Sequence, residues 1–369
     1  MKVAIVYDGF LECGGAEKSI LITAKELKAD IFTTIVKKVD EKLIDGLNFY
    51  SWNHLTFPNH KILTFTEVAF RLKNFIEYFE EQLKNKYDVF LISGIYGISA
   101  SFIHPNCFLC FTPPRALYTH EKIIENKLDF FRRQAFKLWV HLYKKYDMQW
   151  ATDVDRFIAI SDEVHNRIKE YYNRESYISY LPVDTEKYRY KDSKDYWFCP
   201  NRLYPEKRVD MVVEAFKRLP NEKLIISGDG SEREKIKQMI RGWKNIKYIG
   251  NMNSDQMIEL YSNCKGTICF AENEDLGLIP IESMASGKPI IVPNDGGGLL
   301  ESVINNKTGW YVYPSAKSLA YKINQLNLND DLRKMKNDCI KRAKFFDTKN
   351  YIKKIKDNLK SAILSKSSL

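Results

Sequence analysis

The chemistry most legible in this sequence lies in Glu274-Asp275-Leu276-Gly277-Leu278-Ile279-Pro280-Ile281-Glu282, two glutamates eight residues apart. The spacing predicts that Glu274 sits in a loop at the carboxyl end of a strand and that Glu282 falls in the first turn of the following helix. Pro280 suits that turn and Gly287 its end. Carboxylates so placed suit vicinal hydroxyls, because each oxygen accepts hydrogen bonds. The backbone amides around Gly277, Leu278 and Ile279 would stand at a positive helix end, which favours a phosphate. A solvated acidic loop with a dipole-stabilising glutamate is the alternative reading.

A second cluster, Asn201-Arg202-Leu203-Tyr204-Pro205-Glu206-Lys207-Arg208, follows a predicted strand. Arg202 and Lys207 are fixed cations of the kind that neutralise charge growing on a leaving diphosphate; an ordinary basic surface loop is the alternative. Gly14-Gly15 stands before the first helix and allows close backbone approach to a ligand. It lacks the G-x-G-x-x-G pattern, which argues against a nicotinamide dinucleotide. Asn294–Gly298 and Asn305–Gly309 read as turns.

Elements alternate to position these residues. Val3–Tyr7, Ile31–Val36, Asp88–Gly94, Phe108–Phe111 and Asp155–Ser161 are predicted strands, and Ser161 caps a helix over Asp162–Tyr172. The alternation restarts at Tyr196–Pro200 and continues through Lys223–Ser227, Ile246–Ile249, Gly266–Ala271 and Lys288–Pro293. A capping box, Ser231 with Glu234, is expected to open a helix over Glu232–Arg241. Polar Tyr188–Asp195 breaks the pattern and marks a boundary. These features predict an α/β protein with domains over 1–190 and 191–345 and a terminal helix over 346–369 that crosses back to the first. Its 369 residues suit two domains.

The chain carries 57 Lys/Arg and 47 Asp/Glu, a net charge of +10, with 44% hydrophobic content. That balance excludes a disordered or collagen-like chain. Residues 331–369 hold 12 Lys/Arg against 4 Asp, and residues 121–150 hold 7 against 4 Asp/Glu. A concentrated surplus implies an anionic partner. Phe130–Tyr146 is predicted as an amphipathic helix, with Phe131, Ala135, Leu138, Trp139, Leu142 and Tyr146 along one face and Arg133, Lys137, His141 and Lys144 opposite. It reads either as a membrane-docking helix or as one packed on its own domain. Arg333–Lys366 is predicted helical, with Ile352, Ile355, Leu359 and Ile363 as its apolar stripe. No aromatic platform accompanies the charge, which disfavours nucleic acid. The seven scattered cysteines argue against a disulfide framework, and the lone Cys107-x-x-Cys110 lacks the second pair a zinc site needs. No apolar run reaches membrane-spanning length.

Together, Gly14-Gly15-Ala16-Glu17, Thr112-Pro113-Pro114-Arg115, Arg202 with Lys207, Gly228-Asp229-Gly230, the glutamate pair and the Gly309 turn resemble the retaining glycosyltransferases of family 4. The resemblance runs from residue 3 to about 313 and is more specific in the second half. It implies the GT-B fold, two facing Rossmann-like doubly wound domains with a cleft between them and the acceptor on the first. It implies a hexose transferred, with retained configuration and no metal or cofactor, from a nucleotide diphosphate sugar to a hydroxyl of a glycan or lipid-linked glycan. GDP-mannose is the expected donor.

By that resemblance Arg202 and Lys207 would contact the diphosphate, Glu274 the donor sugar and Glu282 the ribose. Gly14, Gly15, Gly228, Gly277 and Leu278 would complete the donor site. Phe111 stands where the family often has histidine, so Phe111, Arg115 and His120 mark the sugar or acceptor vicinity. Backbone carbonyls would replace that histidine, or His120 would supply an imidazole, or activity would be lost. The expected setting is the cytoplasmic face of an anionic membrane. The rival readings are a nucleotide-sugar epimerase of the same fold and a non-catalytic glycan- or lipid-binding protein on a degenerate transferase scaffold.

Overall fold

The computed structural model describes residues 1–11, 14–36, 44–51, 61–329 and 331–366. Side chains of 61–66, 327–331 and 366 lie outside the description, as do Cys13 and the surrounding loop.

The chain forms two compact units, Met1–Tyr180 with Ile352–Leu369, and Leu181–Tyr351. The first holds seven parallel strands in the order β3-β2-β1-β4-β5-β6-β7: β1 Val3–Tyr7, β2 Asp30–Thr33, β3 Phe49–Ser51, β4 Val89–Ser93, β5 Asn106–Cys110, β6 Arg156–Ala159 and β7 Ser176–Ile178. The second holds six in the order β10-β9-β8-β11-β12-β13: β8 Trp197–Pro200, β9 Leu224–Ser227, β10 Ile246–Tyr248, β11 Gly266–Ile268, β12 Ile290–Pro293 and β13 Gly309–Val312. All pairings between named strands are parallel.

Helices cover these sheets because the strands are mostly apolar and buried on both faces, as β1, β4, β5, β8 and β12 are throughout. Each order starts centrally, runs outward one way and resumes on the other side. That reversal defines the doubly wound α/β fold and opens a crevice at the carboxyl ends of the two diverging strands.

Several expectations are refined. The units divide at Tyr180/Leu181, ten residues before the polar run taken as the boundary. Residues 181–190 are committed earlier: Val183 N–H donates to Phe346 O at 3.1 Å and Thr185 Oγ1 to Asp347 at 2.6 Å. The Ser231–Glu234 capping box does not form. The helix starts at Arg233 with no side-chain cap, Glu232 N–H donates to Leu203 O, and Glu234 pairs with Arg233 and Lys237 instead. Strands β3, β7 and β13 and the helix Lys61–Tyr78 were not anticipated. The predicted helix from Arg333 is broken into Asp331–Lys334, Lys336–Ala343 and Thr348–Lys366.

Thr348–Lys366 carries the chain from the second unit into the first. Ile352, Ile355 and Leu359 of its predicted stripe are buried. Asn358 accepts from Arg156 Nε at 2.7 Å, and its carbonyl faces the Cys107 thiol. Cys107 and Cys110 are three apart on β5, so their side chains point to opposite sheet faces and cannot converge on one ion.

Replacing fully buried Ile355 by alanine is expected to cost about 2–5 kcal/mol of stability. Leu364→Ala, at a side chain 65% exposed, should change it by under about 0.5 kcal/mol. Denaturant titration followed by tryptophan fluorescence compares the two.

Candidate functional site

The second unit brings the predicted cations and carboxylates together at the strand reversal. From the end of β8 the chain runs through Asn201 and Arg202 to the 3-10 turn Pro205–Lys207. From the end of β11 it runs through Glu274 to the helix Ile279–Ala285. Lys207, 7% exposed, donates from Nζ to both Glu274 carboxylate oxygens, 2.8 Å to Oε2. Two residues 67 apart in sequence thus form one ion pair with little access to water. A partly buried pair is screened less than a surface one, so removing either member leaves a costly lone charge.

Arg202 is exposed and its guanidinium lies 5.8 Å from the Tyr204 ring centroid. It makes no ion pair among the described residues. It is therefore the cation of this loop available to a ligand, while Lys207 is held in place by Glu274. Arg208, which the sequence reading passed over, braces the site: it pairs with Asp295 at 2.8 Å and with Glu272.

Glu282 lies in the first turn of its helix. Its carboxylate accepts from the buried Tyr261 hydroxyl at 2.6 Å and from the Tyr188 hydroxyl. Both phenols are pushed far above the ordinary tyrosine range, first by burial and then by the Glu282 charge. They stay protonated and orient one side of the carboxylate, and its remaining lone pairs suit hydroxyl donors.

Glycines set the backbone around these groups. Gly228 has φ +127°, and a Cβ there would stand 2.0 Å from Asn201 O; a Cβ on Gly230 would stand 2.3 Å from Leu203 O. Gly228-Asp229-Gly230 is thus the floor on which the Arg202 loop rests. Gly277 has φ +77° and leads through Leu278 into the helix, whose start carries no side-chain cap. The Asn294–Gly298 turn proves more than punctuation. Glu274 N–H donates to Gly296 O at 3.1 Å and Gly298 N–H to Glu274 O at 2.8 Å. A Cβ on Gly298 would meet Asp275 O at 2.3 Å. The signal for this role, three consecutive glycines, was present, but its partner was not readable from spacing.

The first unit has its own cavity, about 630 Å³, at the carboxyl ends of β1 and β4. Tyr7, Asp8, Glu17, Tyr96, Phe111 and Thr112 are among its lining residues. The Gly14-Gly15 turn opens the helix Gly15–Leu27 beside it. Gly14 N–H donates to Glu17 at 3.0 Å, and the Tyr7 hydroxyl donates to the same carboxylate at 3.2 Å. Asp8 accepts from the amides of Tyr96 at 2.9 Å and of Gly97. Burial pushes its carboxyl up to about 7, against those two amides. Asp8 was not among the predicted residues, since an acid closing a strand carries no spacing signal.

Phe111 lies in this cavity wall, whereas Arg115 and His120 do not line it. Both belong to the segment leading to the helix Glu121–Glu125, where His120 N–H donates to Arg115 O at 2.7 Å. The structure gives no support to an imidazole from His120 beside Phe111.

Known proteins bear on both units. Residues 183–345 match the family model described as Glycosyl transferases group 1. An uncharacterised glycosyltransferase of Methanocaldococcus jannaschii is 25% identical over 305 residues, 80% of this chain and 85% of that protein. The alpha-1,3/1,6-mannosyltransferase ALG2 of Dictyostelium discoideum is 23% identical over 91% of each chain. The crystal structure of Anabaena HepE in complex with UDP and glucose superposes with a TM-score of 0.75 at 18% identity, over 98% of this chain and 100% of that one.

Asp8 provides a pH test. Its raised carboxyl makes the native state bind the proton more tightly than the unfolded chain does, so its contribution is full below about 4 and is lost as pH rises through about 7. Asp8→Asn should therefore raise the melting temperature relative to wild type more at pH 8 than at pH 5. An equal shift at both values would contradict the assignment. Gly228→Ala should lower the melting temperature and weaken nucleotide binding together, because the new methyl displaces the Asn201–Arg202 backbone.

Proposed function

We propose that this chain, whose residues 183–345 match the group 1 glycosyl transferases, is a retaining, metal-independent hexosyltransferase that uses a nucleotide diphosphate sugar. The observation that carries this is the Lys207–Glu274 pair beside the available guanidinium of Arg202, at the carboxyl ends of β8 and β11. Such an edge is where open α/β sheets bind ligands.

In this reading the bond from the sugar's anomeric carbon to the diphosphate breaks, and one to the acceptor oxygen forms. The departing diphosphate takes the electron pair of the broken bond and accepts the proton that the acceptor hydroxyl gives up. Arg202 meets the charge that grows on the diphosphate. Lys207 does the same while holding Glu274 toward the sugar. Glu282, oriented by Tyr188 and Tyr261, takes the ribose hydroxyls. Gly277 and Leu278 present amides to the phosphates. Pre-fixed cations stabilise the developing charge without reorganising, and this is the usual source of large rate factors. Mannose is favoured as the sugar because a relative aligned over most of the chain is a mannosyltransferase by name; the UDP and glucose in the HepE structure keep UDP-glucose as the competitor to test.

The acceptor is assigned to the first unit, whose cavity offers apolar walls and the carboxyl groups of Asp8 and Glu17 at the equivalent strand edge. A hydroxyl of a glycan or lipid-linked glycan fits that combination. Phe111 in the cavity wall favours one second reading, a nucleotide-sugar-binding protein without transfer.

Thermal shift against GDP-mannose and UDP-glucose, followed by transfer assays with the better binder, separates these readings. Glu282→Ala should weaken donor binding by at least about tenfold, and Arg202→Ala should lower turnover by about 10²–10³. Unchanged donor affinity in Glu282→Ala sinks the ribose contact. Donor binding by wild type with no product from any acceptor favours the non-catalytic reading. Epimerised donor sugar without an acceptor points to the epimerase.

A further inference from the structure

The helix Phe130–Thr152 has two apolar faces, and only one is packed. Phe136, Val140, Tyr143, Asp147 and Trp150 are buried. At 100° per residue these lie on one side, and Phe131, Leu138 and Leu142 fall together on the other. Those three are 83%, 60% and 48% exposed, and Phe130 at the helix start is 66% exposed. Phe131, Leu138 and Leu142 of the predicted stripe are thus turned to solvent, while its Trp139 packs on Phe136 and Tyr143 and its Tyr146 on Phe70 and Trp150. Contiguous exposed aromatic and leucine side chains on one helix mark an interaction surface.

The surroundings select the partner. Residues 121–150 hold 7 Lys/Arg against 4 Asp/Glu. One of those acids, Asp147, is fully buried on the packed face, where it accepts from the Tyr118 and Tyr172 hydroxyls at 2.8 and 2.9 Å. Glu121 and Glu125 are each matched by a lysine at 2.8 Å, Lys144 and Lys137, and Asp129 by Arg132. Lys122, Lys127 and Lys145 are exposed and make no ion pair among the described residues. An apolar stripe bordered by surplus cations is complementary to a surface with negative head groups over an apolar layer. No helix among the described residues is long and apolar enough to cross a membrane, which fits a helix lying in the plane of the surface.

We propose that Phe130, Phe131, Leu138 and Leu142 insert shallowly into an anionic bilayer while Lys122, Lys127 and Lys145 meet its phosphates. The inference deepens the lipid-linked part of the proposed function, and its test passes through neither donor nor acceptor, so vesicle binding and sugar transfer stand or fall separately.

The test is co-flotation of the full chain with phosphatidylcholine vesicles, alone or containing about 30% phosphatidylglycerol, a fraction rich enough to set a negative surface potential. Wild type should float with the anionic vesicles and not the neutral ones, and raised salt should release it. The triple variant Phe131→Ser, Leu138→Ser, Leu142→Ser and the triple variant Lys122→Glu, Lys127→Glu, Lys145→Glu should each lose at least about tenfold in partitioning, with unchanged melting temperature because these side chains are exposed. In Phe131→Trp, a blue-shifted emission quenched by brominated lipid should report insertion. Wild type staying with the supernatant overturns the proposal, as does undiminished flotation of the serine variant. Sedimentation of wild type as a dimer that the serine variant loses, without vesicle binding, would assign the stripe to a second copy instead.

Discussion

The strand reversal in the second sheet is the constraint on which the rest of the site depends. β8 lies beside β9 on one flank and β11 on the other. Chains leaving β8 and β11 must therefore turn to opposite sides, and their first loop residues face the same gap. That geometry lets Lys207 and Glu274 meet across 67 residues of sequence. Once paired, each fixes the other's position: the ammonium orients the carboxylate, and the carboxylate partners a nearly buried lysine. The surrounding glycines are the steric condition for this. Gly228 and Gly230 let the Arg202 loop lie directly on the β9 loop, and Gly297 and Gly298 let the 294–298 turn back the Glu274 segment.

The first unit uses the same topology for different chemistry. Its reversal lies between β1 and β4, and the group at the gap is Asp8, held by amides of the facing loop rather than by a cation. Burial without a cation beside it favours the protonated form of Asp8. One sheet edge thus presents fixed charge and the other an apolar cavity with a proton-sensitive floor.

The helix Phe130–Thr152 shows how far an amphipathic pattern can be read. Its sequence carries enough apolar residues to satisfy two faces. Periodicity found the stripe through Phe131, Leu138 and Leu142 but could not say which stripe meets the core. Tyr143, Asp147 and Trp150 won that role because Asp147 finds two tyrosine hydroxyls there and Trp150 packs edge-on against Phe70 and Tyr143.

By itself the sequence determined the fold class, most of the strands and the residue types of the donor site, because burial on both sheet faces writes continuous apolar runs and because loops at strand ends carry local signals. It placed Arg202, Lys207, Glu274 and Glu282 in their loops and first turn correctly. Short edge strands such as β3 and β7 went unread, since three partly exposed residues leave no pattern. The tertiary structure alone decided which of these residues touch. Lys207 is committed to Glu274 while Arg202 is left available. Glu282 is gripped by Tyr188 and Tyr261, Asp8 lies in a cavity with Phe111, and His120 stands apart from it. Such pairings depend on strand order and on backbone-to-backbone fit at glycines, which join positions dozens of residues apart and leave no trace in local spacing.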